Sequence, residues 1–172
     1  LPLFRVIWCA FNGGVKLSIE KVRKYFAARG MEDQILEFDV SSATVELAAK
    51  ALNCDGCLIA KTLSFLVHDD VILIVAPGDV KIDNHKYKMH FGVKAKMLPA
   101  ADAEQLIGHA VGGVCPFAVN EGVKVFLDES LKRFEFVYPA CGSSNSAIKL
   151  TIPELEKNTD HFSGWVDVCK LK

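Results

Sequence analysis

The sequence predicts a single α/β (α+β) domain on a mixed β-sheet, more curved than a doubly wound one. Three observations carry this. Hairpin-like strand runs are interspersed with short helical runs along the whole chain. The 172 residues are 51% hydrophobic and 24% charged, which suits one domain with a substantial core. No Rossmann fingerprint and no P-loop pattern is present, so a nucleotide-hydrolysing fold has no support.

Leu1–Gly14 is apolar, carries only Arg5 as a charge and closes on Asn12-Gly13-Gly14. Its apolar core is short and no cleavage site follows, which argues against a signal peptide. Residues 1–16 therefore read as an N-terminal extension, either artificial or an added edge strand. The domain proper spans 17–172. Ser18–Gly30 reads as a helix capped by Ser18 and closed by Gly30, with Ile19, Val22, Tyr25 and Phe26 as its apolar stripe. Ile35–Asp39 is a short strand. Thr44–Leu52 is a helix with Ser41 or Ser42 as cap and Asn53 as a left-handed stop. Leu58–Val67 and Val71–Ala76 form a hairpin across His68-Asp69-Asp70. Pro77-Gly78-Asp79 is a turn, and Lys81–Phe91 is a helix closed by Gly92. A strand over Lys94–Leu98 precedes a helix from Ala101 to His109. Strands over Lys124–Leu127 and Phe134–Tyr138 flank a short helix at Glu129–Arg133. A strand over Ala147–Leu150 leads to a helix with Pro153 in its first turn. Trp165–Val168 is the last strand.

The net charge is −1, so any nucleic-acid binding must come from a local patch. No apolar run reaches the ~20 residues of a transmembrane helix, and the expectation is no membrane partner and no DNA. The six cysteines are scattered and read as free thiols of a reducing, cytoplasmic compartment. Cys54-Asp55-Gly56-Cys57 has CxxC spacing, but no second pair or His pair matches it, so no metal and no cofactor is expected.

Four stretches could carry chemistry. Gly112-Gly113-Val114-Cys115-Pro116-Phe117 pairs two side-chain-free residues with a rigid Pro116. It is either a turn or a loop whose backbone donors hold a carbonyl or oxyanion. Lys61 sits within Ile59-Ala60-Lys61-Thr62-Leu63, where burying an unpaired ammonium is costly. It points to solvent, or something anionic meets it. Gly142-Ser143-Ser144-Asn145-Ser146 is a Ser turn or a polar wall for a ribose or amino group. Lys81, Lys86, Lys88, Lys94 and Lys96, with His85 and His90 and only Asp83 opposing, form either a solvated face or a phosphate-contacting surface. No serine has His and acid partners in a nucleophile-elbow pattern.

In order and separation, these pieces resemble the YbaK and prolyl-tRNA-synthetase-associated editing domain family. The matching residues are Ala48-Ala49 with Leu52, then Ile59–Leu63, then Val111–Phe117 as the Gly-x-x-x-Pro loop, then Gly142–Ala147. The resemblance covers roughly Ser18 to Cys169. It implies a twisted, barrel-like mixed sheet with flanking helices. It also implies a free-standing aminoacyl-tRNA deacylase that removes a small mischarged amino acid, with tRNA-Pro the first candidate and prolyl-tRNA synthetase a possible partner. Under it, Lys61, Gly112 and Gly113 are catalytic. Val114, Cys115, Pro116, Phe117, Gly142, Ser143, Ser144 and Asn145 bind substrate. Lys81, Lys86, Lys88, Lys94 and Lys96 bind tRNA. The chain reads Leu36-Glu37-Phe38-Asp39 where the Cys-tRNA branch has a Tyr-Glu-His-Asp-like stretch, and Ala118 where relatives often have Gly. Both depart from a Cys-tRNA specificity. Two other classes stay open: a non-catalytic module that carries tRNA or a synthetase, and a small-molecule amidase or esterase.

Overall fold

The structure, a computed structural model, describes residues 18–172. The Leu1–Gly14 extension lies outside the described residues. Helix α1 covers 18–27 and turns off through Gly30. Strand β1 is Ile35–Glu37 and helix α2 is Val45–Leu52. Strands β2 (Ile59–Val67) and β3 (Asp70–Pro77) form the long hairpin, and β4 is Val80–Ile82. Helices α3 (Asn84–Phe91) and α4 (Ala103–Ile107) follow. The chain continues through β5 (Lys124–Asp128), β6 (Phe136–Pro139), β7 (Ser146–Ile148) and β8 (Leu150–Thr151). It closes with α5 (Ile152–Asn158), β9 (Phe162–Val166) and β10 (Cys169–Leu171).

Six strands make a mixed sheet in the order β8-β6-β2-β3-β5-β9. The β2–β3 pair is antiparallel, while β6, β5 and β9 join in parallel. Two small ribbons, β1–β7 and β4–β10, extend it. The fold class is the mixed α/β one expected. Strand β3 shows why the sheet is central. Leu73 and Val75 enter one core with α1, Phe117 and Leu155, whereas Ile72, Ile74 and Ala76 enter a second core with Phe65 and Tyr87. A strand buried on both faces reads as the unbroken apolar run Val71–Ala76.

Several boundaries differ from expectation. Thr44, not Ser41 or Ser42, caps α2 by accepting from the Leu47 N–H at 3.2 Å. Ser18 lies inside α1, and its hydroxyl meets His109 Nδ1 at 3.1 Å. Lys81 and Ile82 belong to β4, so α3 starts only at Asn84, where the Asp83 carboxylate accepts from the His85 and Lys86 amides. Lys94–Leu98 shrinks to a single bridge between Met97 and Phe65. Glu129–Arg133 is a 3₁₀ turn. Pro153 stands in the first turn of the last helix as expected, and the structure adds a capping box between Thr151 and Glu154. No helix among the described residues is long and apolar enough to cross a membrane.

Candidate functional site

A cavity of about 240 Å³ opens where α2, the start of β2, the glycine loop and β7 converge. Small residues make the room. Ala48 faces it from α2, Ala60 from β2, Ala140 from the end of β6 and Ala147 from β7. Ser42, Ala43 and Thr44 form one rim, and Tyr138 stands on another side.

Of the expected site residues, Lys61, Gly112 and Val114 line this cavity. Lys61 is half-buried, and its ammonium donates to the Val80 carbonyl. Burial lowers its pKa, with Lys172 adding to the effect, and Asp79 and Glu46 only partly oppose it. Among the described residues no carboxylate forms an ion pair with Lys61, so its charge is held by a neutral carbonyl. A partly desolvated cation without a counter-ion attracts an anionic ligand.

The glycine loop works differently from its sequence reading. A Cβ on Gly113 would lie 2.5 Å from the Gly142 carbonyl carbon and 2.5 Å from the Ser143 nitrogen. Its missing side chain therefore admits the neighbouring loop, not a ligand. The Gly113 N–H is also committed, donating to the Ala110 carbonyl at 3.0 Å. Cys115, Pro116 and Phe117 stand behind the cavity wall. Cys115 and Phe117 are fully buried, and the Phe117 ring packs edge-on against Phe26, centroids 4.7 Å apart. Burial pushes the Cys115 thiol up to about 12, so it stays protonated. A histidine does lie beside it, which the sequence did not place: His109 Nε2 is 3.6 Å from Cys115 Sγ. That imidazole is itself buried and spent, with Nε2 donating to the Phe117 carbonyl at 2.7 Å and Nδ1 facing Ser18. Burial lowers its pKa to about 4. The cluster fixes the loop and supplies no exposed nucleophile.

The second loop is a brace. Ser143 Oγ lies 2.9 Å from Asn145 Oδ1 and 2.7 Å from Ser146 Oγ, and the Asn145 amide donates to the Phe38 carbonyl at 2.9 Å. The Ser144 carbonyl accepts from the Ser42 N–H at 2.6 Å, which ties the cavity rim to this loop. Gly142, Ser143, Ser144 and Asn145 do not line the cavity; Ser146 and Ala147 do. The rim residues Ser42 to Val45, with Tyr138 and Ala140, escaped sequence reasoning. The small-residue run of α2 around Ala48 was the available signal.

The basic run divides. Lys86 pairs with Asp167 at 2.9 Å and donates to the Cys169 carbonyl. Lys81 sits in β4 opposite Lys170. Lys88 and Lys94 line a separate cleft with Asn84, His85 and Ala95, and among the described residues no acid lines it. The Lys96 carbonyl accepts from the Leu66 N–H. Cys54 and Cys57 are free and half-buried. Among the described residues no group of three His, Cys, Asp or Glu side chains could hold a metal ion.

Comparison with known proteins adds independent findings. A family model described as an aminoacyl-tRNA editing domain matches residues 40–158. The chain is 50% identical to the uncharacterized protein YwhH of Bacillus subtilis (strain 168), over 90% of this chain and 98% of that one. It is 23% identical to a proline–tRNA ligase of Lactiplantibacillus plantarum, covering 73% of this chain but only 22% of the ligase. Among solved structures, one provisionally described as a trans-editing enzyme for prolyl tRNA synthetase superposes with a TM-score of 0.78 at 25% identity, covering 89% of this chain and 97% of the other. A hypothetical protein, APE2540, gives a TM-score of 0.77 at 28% identity, covering 87% and 99%.

Proposed function

The chain belongs to the aminoacyl-tRNA editing domain family, and on that premise we propose that it is a trans-acting deacylase. It hydrolyses the ester between a small, mischarged amino acid and the terminal adenosine of a tRNA. The similarity to a proline–tRNA ligase makes tRNA-Pro the first candidate and that synthetase a candidate partner. The observation that carries the reading is the cavity itself. It is small, mostly apolar and bordered by Gly112 and Val114 of the glycine loop, and among the described residues its lining holds one cation and no carboxylate.

Lys61 holds an anionic group of the 3′ end, its terminal phosphate or the oxygen on which charge develops. Gly112 and Val114 border the cavity on the loop, and in this reading their backbone N–H groups meet the ester carbonyl. Losing one such donor typically raises the barrier by ~3 kcal/mol. Among the described residues no His, Asp or Glu lines the cavity, so in this reading the attacking water is activated by the substrate's own ribose hydroxyl or amino group. The Lys88–Lys94 cleft contacts the tRNA backbone through its phosphates.

The missing general base also favours a second reading, a module that holds the 3′ end without cleaving it. A panel of tRNAs charged with Ala, Ser, Cys and Pro separates the two. The deacylase reading expects hydrolysis of at least one small mischarged residue, lost in Lys61→Ala with the fold intact by circular dichroism. Binding without turnover on every tRNA would establish the second reading. Near-wild-type turnover in Lys61→Ala would remove the lysine from the mechanism.

A further inference from the structure

We propose that Arg133, which does not line the cavity, is a positioning residue for Lys61: it grips the Asp79 carboxylate and so keeps that acid from neutralising the ammonium. The inference rests on the deacylase reading, in which Lys61 meets an anionic group of the substrate. Lys61 donates to the Val80 carbonyl, and Asp79 is the residue before Val80, in the turn between β3 and β4. Backbone contacts fix that turn. A Cβ on Gly78 would lie 2.1 Å from the Gly56 carbonyl oxygen, so the turn sits directly on the segment that enters β2. The Asp79 carbonyl accepts from the Lys172 N–H at 3.1 Å. The backbone of Asp79 is therefore held near Lys61 wherever its side chain points.

A half-buried ammonium draws any carboxylate within reach. Here both carboxylate oxygens are occupied. Arg133 Nη1 donates to Asp79 Oδ2 at 3.0 Å, and Nη2 donates to Oδ1 at 2.6 Å. A third bond aims the guanidinium, from Nε to the Ser130 carbonyl at 3.0 Å. Hydrogen bonding from Arg133 holds the Asp79 carboxyl below its usual range, so the acid is ionised at neutral pH. The other titratable groups that reach Lys61 are Lys172, Cys169 and Glu46. Lys172 repels its charge. Burial pushes the Cys169 thiol up to about 12, so it stays neutral. Glu46 is exposed on α2 and acts on Lys61 less than Asp79 does. Releasing Asp79 would turn Lys61 from an anion site into one half of an internal ion pair.

The test compares wild type, Arg133→Gln, Asp79→Asn and the double variant. Two quantities are measured on each: the Lys61 pKa, from an NMR titration of its Cε resonance assigned with Lys61→Arg, and kcat/KM on the mischarged tRNA that the wild type cleaves best. Arg133→Gln should raise the Lys61 pKa and lower kcat/KM by about ten-fold, the factor that corresponds to a rise of one pH unit. The double variant removes the freed carboxylate and should bring both quantities back close to wild type. Asp79→Asn alone should keep its activity. A merely structural role for the pair predicts the reverse, a double variant at least as impaired as Arg133→Gln. If Arg133→Gln does not fold, Arg133→Lys, which keeps a cation but loses the fork, carries the same comparison at lower amplitude. A Lys61 pKa unchanged on loss of Arg133, or a double variant without rescue, overturns the inference and leaves the deacylase reading intact. If the wild type cleaves none of the mischarged tRNAs, the deacylase reading fails, and the Lys61 pKa across the four proteins decides the inference without turnover.

Discussion

Gly113→Ala is the most demanding test of how the site is built. Gly113 is not in the left-handed region, so alanine meets no backbone penalty there. The cost is steric. The new Cβ would stand 2.5 Å from the Gly142 carbonyl carbon, 2.5 Å from the Ser143 nitrogen and 2.6 Å from the Gly142 oxygen. All three are backbone atoms and cannot swing aside as a side-chain end would. The two loops must separate by about 1 Å to reach ordinary contact. Overpacking of this kind costs ~1–3 kcal/mol, and a backbone clash falls in the upper part of that range. For a chain of this size, 2–3 kcal/mol lowers Tm by about 4–12 °C. The same shift moves Gly112 and Val114 at the cavity wall, and a displacement of ~1 Å can cost ~100-fold in rate. Differential scanning calorimetry and single-turnover deacylation measure the two effects. Gly122→Ala is the control. It has φ +85° with nothing within 4 Å of the added Cβ, so it should lose only the ~1–2 kcal/mol of left-handed strain and keep its activity. A Gly113→Ala protein with wild-type Tm and wild-type turnover would refute the interlocked-loop account.

Stability should depend on pH through His109. Burial sets its folded pKa at about 4, below the ordinary 6.5 of the unfolded chain, so between these values the unfolded state binds more protons. The contribution is complete above pH 6.5 and is lost as pH falls toward 4, by about 3 kcal/mol in all. His109→Gln should flatten the urea midpoint against pH in that window, and an unchanged profile would contradict the assignment. Salt dependence should separate the lysines. Replacing Lys88 and Lys94 with Ala should flatten the slope of log affinity for tRNA against log salt by ~1.4, while Lys86→Ala, already paired with Asp167, should leave it unchanged. Equal slopes for wild type and the double variant would move the tRNA elsewhere.

Local signals survived folding where the residues concerned act on their immediate neighbours. The apolar run around Val71–Ala76 announced a strand, Asn53 stopped α2 at φ +51°, and Pro153 marked the first turn of α5. Lys61 announced itself as a charge in an apolar hairpin, and the order of the motifs carried the family. What sequence order could not decide depends on contacts between distant segments. Strand β4 is three residues long, too short for any periodicity, and pairs with β10 from the far end of the chain. Three of the four residues Ser41 to Thr44 carry hydroxyls, and only the direction of α2 selects Thr44 as its cap. Gly113 looked like a ligand contact because glycine's freedom is the same whether a substrate or another loop fills the space. Packing against Gly142 and Ser143 decides that. Cys115 and His109 meet only because the chain turns through the glycine loop, and their burial, which sequence does not encode locally, makes them inert. The cavity is likewise a product of tertiary structure: its walls come from residues as far apart as Ser42 and Ala147, joined when Ser144 hydrogen-bonds the rim.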